Sequence, residues 1–392
     1  GRLMELSGDF DGAVAKWEEV EAGPHRPSVP RATVSRVEML LKLEKMTRPE
    51  AIEEFEKLRF FWRGDDFEFA LLRRLGHLYL EENDYRSGLR IMRQAATHFR
   101  DHKDAKTVTQ EMTDAFAQLY LEDAADTLPP VTAIALYDEF KELTPAGERG
   151  DEMVRKLADR LVGVDLLDRG AELLDTQIEF RLKGEEKARV GAQLALIRIM
   201  ADQPEKAIKA LDDTAITGLP SEIVTARRHL RARAMVQMDR NDAALQLLDS
   251  DESTGAERLR IEIYRATQDW PKVAKSLGRM VKTTGITPKT KLDGRQAIVV
   301  MNMAVALVLS GNERGVNRAR ADFGASMDAT SYRDAFRLIS SPQSIGMMDI
   351  SEIASKVTDA ENFKTFIAEY GERLKTENLS ELFAGPTSVI QG

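Results

Sequence analysis

The sequence predicts an all-α protein assembled as a linear array of antiparallel helix pairs, on three observations. Small or β-branched side chains recur along most of the chain, at Ala13, Ala51, Gly88, Ala133, Ala171, Ala207, Ala244, Val273 and Val316, with spacings of 38, 37, 45, 38, 36, 37, 29 and 43 residues. Gly and Pro are sparse (25 and 13 of 392 residues), aromatics reach 6%, and β-branched runs bounded by turn residues are hard to find, which disfavours sheets. Hydrophobic residues at 43% and charged ones at 31% suit packed helices with a solvated exterior. A chain of this length would otherwise split into two or three globular domains, a limit that growth along one axis removes.

The clearest unit runs from Leu72 to Ala95. Leu72, Leu75, Gly76 and Tyr79 recur at one-turn spacing, Asn83-Asp84-Tyr85 interrupts, and Gly88, Met92 and Ala95 follow. A small residue at Gly76 lets a second helix approach closely, Gly88 does the same from the other side, and Tyr79 and Tyr85 are expected to fill the wedge beside the turn. The second half of this unit recurs in order. Gly8-Asp9-Phe10 leads to Ala13, Trp17 and Val20; Ala51, Phe55 and Leu58 follow; then Ala133, Tyr137, Phe140 and Pro145. Ala171 and Leu174 mark a degenerate copy. Asp202-Gln203-Pro204 precedes Ala207 and Leu211, Arg240-Asn241 precedes Ala244 and Leu248, Gln268-Asp269-Trp270 precedes Val273, Leu277 and Met280, and Gly311-Asn312 precedes Val316 and Phe323. First helices fall at Val154 to Leu161, Leu194-Ala195, Ala232 with Met235, Ile261 with Tyr264, and Val300 to Leu307, each with a small residue at the crossing except Ile261.

Leu-x-x-Leu-Gly-x-x-Tyr followed by a polar-Asp-Tyr turn and a small/large/small second helix resembles the tetratricopeptide repeat, whose period is about 34 residues. The resemblance implies a right-handed α-solenoid over residues 1–325. Two further helical stretches, Thr330 to Ser340 and Ser351 to Glu377, the second carrying Ile353, Val357, Phe363, Phe366, Ile367, Tyr370 and Leu374, are expected to form C-terminal capping helices over 326–377. Residues 378–392, rich in Gly, Pro, Thr and Ser near the end, read as a tail. With no initiator Met or signal-peptide pattern at Gly1, the chain reads as an excised piece, and any targeting signal would lie upstream.

A formal charge of -9 argues against a surface that wraps nucleic acid, because that binding rests on neutralising phosphates. The densest basic run, Arg227, Arg228, His229, Arg231 and Arg233, splits over two helix faces and has no aromatic platform. No apolar run reaches the roughly 20 residues of a membrane span; the closest, Ala297 to Leu309, contains Asn302. Zero cysteines exclude disulfides and thiolate chemistry, and leave cytoplasm and periplasm both open. The envelope roles of bacterial relatives of the repeat tilt the expectation toward the periplasm.

Chemistry is not visible in the sequence. The five histidines, His25, His77, His98, His102 and His229, do not cluster; His98 and His102 stand at helical i, i+4 spacing, which could ligate a metal, but without a His-Glu-x-x-His pattern they read as a polar helix end. No phosphate-cradling loop or nucleophile elbow is present, so neither an enzyme nor a cofactor is expected.

In the family that the chain resembles, the first helix of each pair lines the binding surface. Applied here, that rule selects Arg73 and His77, His229 and Arg233, Arg258, Glu262 and Arg265, and Met301 with Val305. This arginine-rich, partly apolar wall implies an acidic or amphipathic protein segment as partner, against the plainer reading of solvated charges paired at i, i+4. The Lys/Asn clamp by which some members hold a chaperone's carboxylate is not reproduced. The implied function is a non-enzymatic scaffold or adaptor in a bacterial envelope, secretion or motility assembly; the alternative is the sensing module of a longer chain.

Overall fold

The computed structural model describes residues 1–61, 64–122 and 124–340, the side chain of residue 126 excepted. Contacts divide the chain into two compact units, Gly1–Met153 and the part that begins at Val154. The described residues form nineteen α-helices and no strand. Helices pair in order: α1 (Arg2–Leu6) with α2 (Phe10–Ala22), α3 (Val29–Lys42) with α4 (Arg48–Phe61), α5 (Asp66–Glu81) with α6 (Tyr85–His98), and α7 (Ala105–Leu121) with α8 (Pro130–Phe140). The next are α9 (Glu148–Gly163) with α10 (Leu167–Phe180), α11 (Gly184–Met200) with α12 (Pro204–Asp213), and α13 (Ser221–Gln237) with α14 (Asn241–Leu248). The last are α15 (Thr254–Ala266) with α16 (Trp270–Thr283), α17 (Gly294–Leu309) with α18 (Glu313–Met327), and then α19 (Arg333–Ile339). Packing runs mostly between sequential neighbours, as expected of a helical repeat.

One turn is used eight times. Gly8, Glu44, Asn83, Asp165, Asp202, Asp239, Gln268 and Gly311 all take a left-handed conformation, with φ between 55° and 85°, immediately after the first helix of a pair. Two backbone bonds close each turn; at the α5–α6 junction Asn83 N donates to Leu80 O at 3.0 Å and Asp84 N to Tyr79 O at 2.9 Å. This geometry satisfies carbonyls that a helix end leaves bare, and most of these sites use Asn, Asp or Gly, for which positive φ costs least. In seven of the eight the next residue is the N-cap of the second helix. Where it is Asp or Asn its side chain caps the new N-terminus: Asp9 accepts from Gly12 N, Asp84 from Ser87 N, Asp269 from Lys272 N and Asn312 from Gly315 N, at 2.9–3.3 Å.

These turns set a register. Seven residues before the left-handed position stand Gly1, Val37, Gly76, Ala158, Ala195, Ala232, Ile261 and Ala304; five residues after it, in six of the eight pairs, stand Ala13, Gly88, Ala207, Ala244, Val273 and Val316. The α3–α4 turn is two residues longer, so Ala51 fills the second position there. In the α9–α10 pair the residue in register is Gly170, one before the Ala171 expected from sequence, although Ala171 is also fully buried. A Cβ on Gly170 would stand 3.2 Å from the carbonyl oxygen of Ala158, just as one on Gly88 would stand 2.9 Å from that of Gly76. At these two crossings backbone lies against backbone. Ile261, which the sequence indicated, and Val37 are larger residues at the first register position, and Ile261 shares its pair with another branched residue, Val273.

The core is a string of small clusters, each built from two to five successive helices. One joins α2 to α3 through Ala13, Trp17, Ala32 and Met39, with Met4 of α1 packed against it; others follow along α9–α13, α13–α15 and α15–α19. Tyr79 departs from expectation by reaching back to Glu56 on α4, its hydroxyl donating at 3.0 Å. The helix expected over Thr330–Ser340 is α19; Ser351–Glu377 and residues 378–392 lie outside the described residues.

Helix propensity alone favours Ala over Gly by about 1 kcal/mol in a helix interior. Gly278 in α16 has nothing within 4 Å of an added Cβ, so Gly278→Ala is expected to stabilise by up to about that amount. Gly88→Ala must push against the Gly76 backbone and Leu80, and is expected to destabilise by about 2 kcal/mol in denaturant titrations. Stabilisation by both substitutions would contradict the close crossing.

Candidate functional site

The first unit carries a cleft of about 470 Å³ lined by one face of α5 and the turn that follows α6: Asp66, Phe69, Ala70, Arg73, Arg74, His77, His102, Lys103 and Asp104. Asp65 starts α5 by accepting from Phe67 N at 2.9 Å and Glu68 N at 3.2 Å, and this fixes which residues look into the cleft. Phe69 is the buried floor. The His102 ring stacks on it with centroids 3.8 Å apart and planes at 26°, and His102 Nδ1 accepts the Asp104 amide at 3.1 Å. In the neutral ring the proton is therefore on Nε2, which faces Asp66 at 3.7 Å. α6 ends at His98 with Phe99 as its cap, so His98 and His102 do not share a helix face as the metal-ligand spacing required. Among the described residues no three His, Cys, Asp or Glu side chains converge to hold a metal ion.

The cations above the floor are engaged. Glu111 on α7 accepts both Arg73 Nε, at 3.0 Å, and its NH2, and also meets His77 Nε2 at 3.1 Å. Burial raises the Glu111 carboxyl, but the Arg73 hydrogen bond and the nearby positive charge outweigh it and hold the group below the usual carboxylate range. Arg74 donates to Glu38 on α3 at 2.6 and 3.2 Å and to Glu81 at 3.1 Å. Lys103 is exposed at the rim.

The same traffic between first helices recurs in the second unit. Gln193 on α11 donates to Asp159 on α9 at 2.6 Å, from the register position that Arg74 holds opposite Glu38. Arg233 on α13 pairs with Glu262 on α15. His229 Nε2 lies 2.9 Å from Asp251 Oδ2, which Arg228 also reaches at 3.3 Å. Ser253 Oγ is 3.4 Å from that same His229 nitrogen, so Ser, His and Asp do not form a relay through the two ring nitrogens; Ser253 instead caps α15. Arg258 is exposed on α15 and Arg265 is half-buried, while Met301 packs at the edge of the α15–α19 cluster and Val305 is half-buried beside it.

Every member of the basic run thus has internal work. Arg227 is buried and donates to the carbonyls of Ala188 and Leu211, both at 2.5 Å, closing the C-terminal end of α12; Arg231 pairs with Asp212. Burial lowers the Arg227 pKa, an effect that Arg231 reinforces. Arg260 treats α14 in the same way through the Leu248 carbonyl, and with Arg279 it neutralises Glu257, which is 1% exposed. Apart from Arg260 with Glu257, three residues away, and Arg74 with Glu81, seven away, these charged partners lie 19 to 38 residues apart, not the three or four of an isolated helix. Sequence reasoning missed Arg74, Lys103, Glu111 and Asp251. The signal that could have found the acids is their recurrence about one repeat away from a cation.

Among the described residues no helix is long and apolar enough to cross a membrane. No family model matches the chain, and no curated protein matches it.

Burial opposes the charged form of Asp251, but hydrogen bonds from the Ser253 hydroxyl and amide, then from His229, outweigh it and hold the carboxyl far below its usual range. With the folded pKa below the unfolded one, the unfolded chain binds more protons in acid. The stability that Asp251 contributes is therefore complete above about pH 4 and is lost as pH falls further. Asp251→Asn is expected to cost about 1–3 kcal/mol at pH 7 and progressively less below pH 4, read from urea midpoints across pH. A cost that does not shrink in acid would refute the charged pairing.

Proposed function

We propose that the chain is a non-enzymatic protein-protein interaction scaffold of the tetratricopeptide type, a right-handed solenoid. It captures an acidic or amphipathic segment of a partner along its first helices, within a bacterial multiprotein assembly of the envelope, secretion or motility kind. The observation that carries this reading is a repeated outward stripe. Counting back from the left-handed turn, Arg73, His229, Arg258 and Met301 hold one register position and His77, Arg233, Glu262 and Val305 hold the next turn of the same stripe. On α13, α15 and α17, the first helices of three successive hairpins of the second unit, side chains displayed at equivalent points offer repeated contacts to an extended or helical segment. Arginine held in a planar pair with a carboxylate is already oriented, so a partner's carboxylate meets a donor whose freedom is spent. The cleft on α5 adds an aromatic floor and an exposed Lys103 beside those cations.

Selection of random 12-residue peptides displayed on phage against the full chain is expected to enrich Asp and Glu interleaved with Leu, Ile or Phe. Capture of the enriched peptides should fall at least about fivefold with Lys103→Glu combined with Arg258→Glu and should weaken further with salt, whose screening length is about 10 Å at 0.1 M. Enrichment of basic peptides, or capture indifferent to both substitutions, would remove the stripe from the account.

A further inference from the structure

The first-helix stripe changes character at α17. Its outward residues are Ile298, Met301, Asn302, Val305, Val308 and Leu309, none of them charged and all at least partly exposed. The same register positions read Ala70, Arg73, Arg74, His77, Leu80 and Glu81 on α5, and Ala226, His229, Leu230, Arg233, Val236 and Gln237 on α13. Ile298 is 40% exposed, and α17 makes few contacts with α15 on that side. Helix α11 is largely apolar in this register too, but there Ala192, Gln193, Leu196 and Ile199 are buried, whereas on α17 the apolar positions are left at least partly exposed.

We propose that the occupant of this face is residues 351–377 of the same chain. Three observations select it. Residues 269–340 carry twelve Lys and Arg against six Asp and Glu, whereas residues 341–392 carry four against eight, so the two are complementary. Phe363, Phe366, Ile367, Tyr370 and Leu374, preceded by Ile353 and Val357, supply an apolar series with acidic residues between, and Lys289, Lys291 and Arg295 stand exposed at the start of α17 to meet them. Third, the described chain ends in place: Phe336 of α19 is 1% exposed in the cluster that α17 shares, and Arg320 holds the Ser340 carbonyl at 3.4 Å. The ten residues from Ser340 to position 351 reach about 35 Å when extended, more than the roughly 17 Å length of the stripe. Seated there, the segment would occupy the end of the partner surface from within, and a partner engaging α17 would have to displace it.

The chain contains no cysteine, so one introduced thiol reports on one place. In the full chain, alkylation of Val305→Cys is expected to be at least about tenfold slower than in the same chain carrying Phe363→Glu and Phe366→Glu. Phe180→Cys, at a position 73% exposed on α10, should label at one rate in both backgrounds. Equal rates at position 305 would overturn the proposal. So would protection that fades on dilution, which would mean a second copy on α17, or protection that survives the two glutamates, which would mean another cover.

Discussion

The molecule depends on how closely two helices can approach at each crossing. Gly76 against Gly88 and Ala158 against Gly170 bring main chain within about one methyl group of main chain, and the left-handed residue between them sets the angle at which the second helix leaves. A short turn and a small residue therefore act together: the turn returns the chain antiparallel, and the missing side chain lets the returning helix bury its apolar stripe. With that arrangement repeated, hairpins within each unit complete their cores by lying on their neighbours, and the described residues are served by a string of clusters.

Polar contacts follow the same order. Arg74 to Glu38, Gln193 to Asp159 and Arg233 to Glu262 tie α5 to α3, α11 to α9 and α13 to α15, each a first helix to the first helix of a neighbouring pair, while Arg227 and Arg260 close the ends of preceding second helices. Exposed pairs of this kind add little each, about 0–1 kcal/mol, so apolar stacking sets most of the stability and the pairs fix alignment. The buried Glu257 with its two arginines differs, because removing one partner leaves an uncompensated charge, at a cost of about 3–5 kcal/mol.

Much of the fold was legible because the features that make it are local. Gly76, Asn83-Asp84 and Gly88 state a helix, a turn and a helix within thirteen residues, and Ala207, Ala244 and Ala304 repeat the statement in phase. Ala171 was read one residue late because Ala and Gly are equally small, and only the turn register distinguishes them. The site was less legible. Arg73 and His77 could be placed on an outward face from periodicity, but their engagement by Glu111 depends on which helices stack, a relation spanning 34 to 38 residues that no local pattern encodes. The apolar face of α17 was readable as composition, yet it stood out only beside Arg73, Arg74, His77 and Glu81 on α5 and His229 and Arg233 on α13 in the same register.

Stability organised as nearest-neighbour stacking has a direct test in native-state hydrogen exchange on a chain carrying Ala207→Leu, which overfills one crossing by about 1–3 kcal/mol. The account predicts faster exchange in α11 to α14 with α17 and α18 unchanged. A uniform rise across the second unit would contradict it, since that is the response of a single cooperative core.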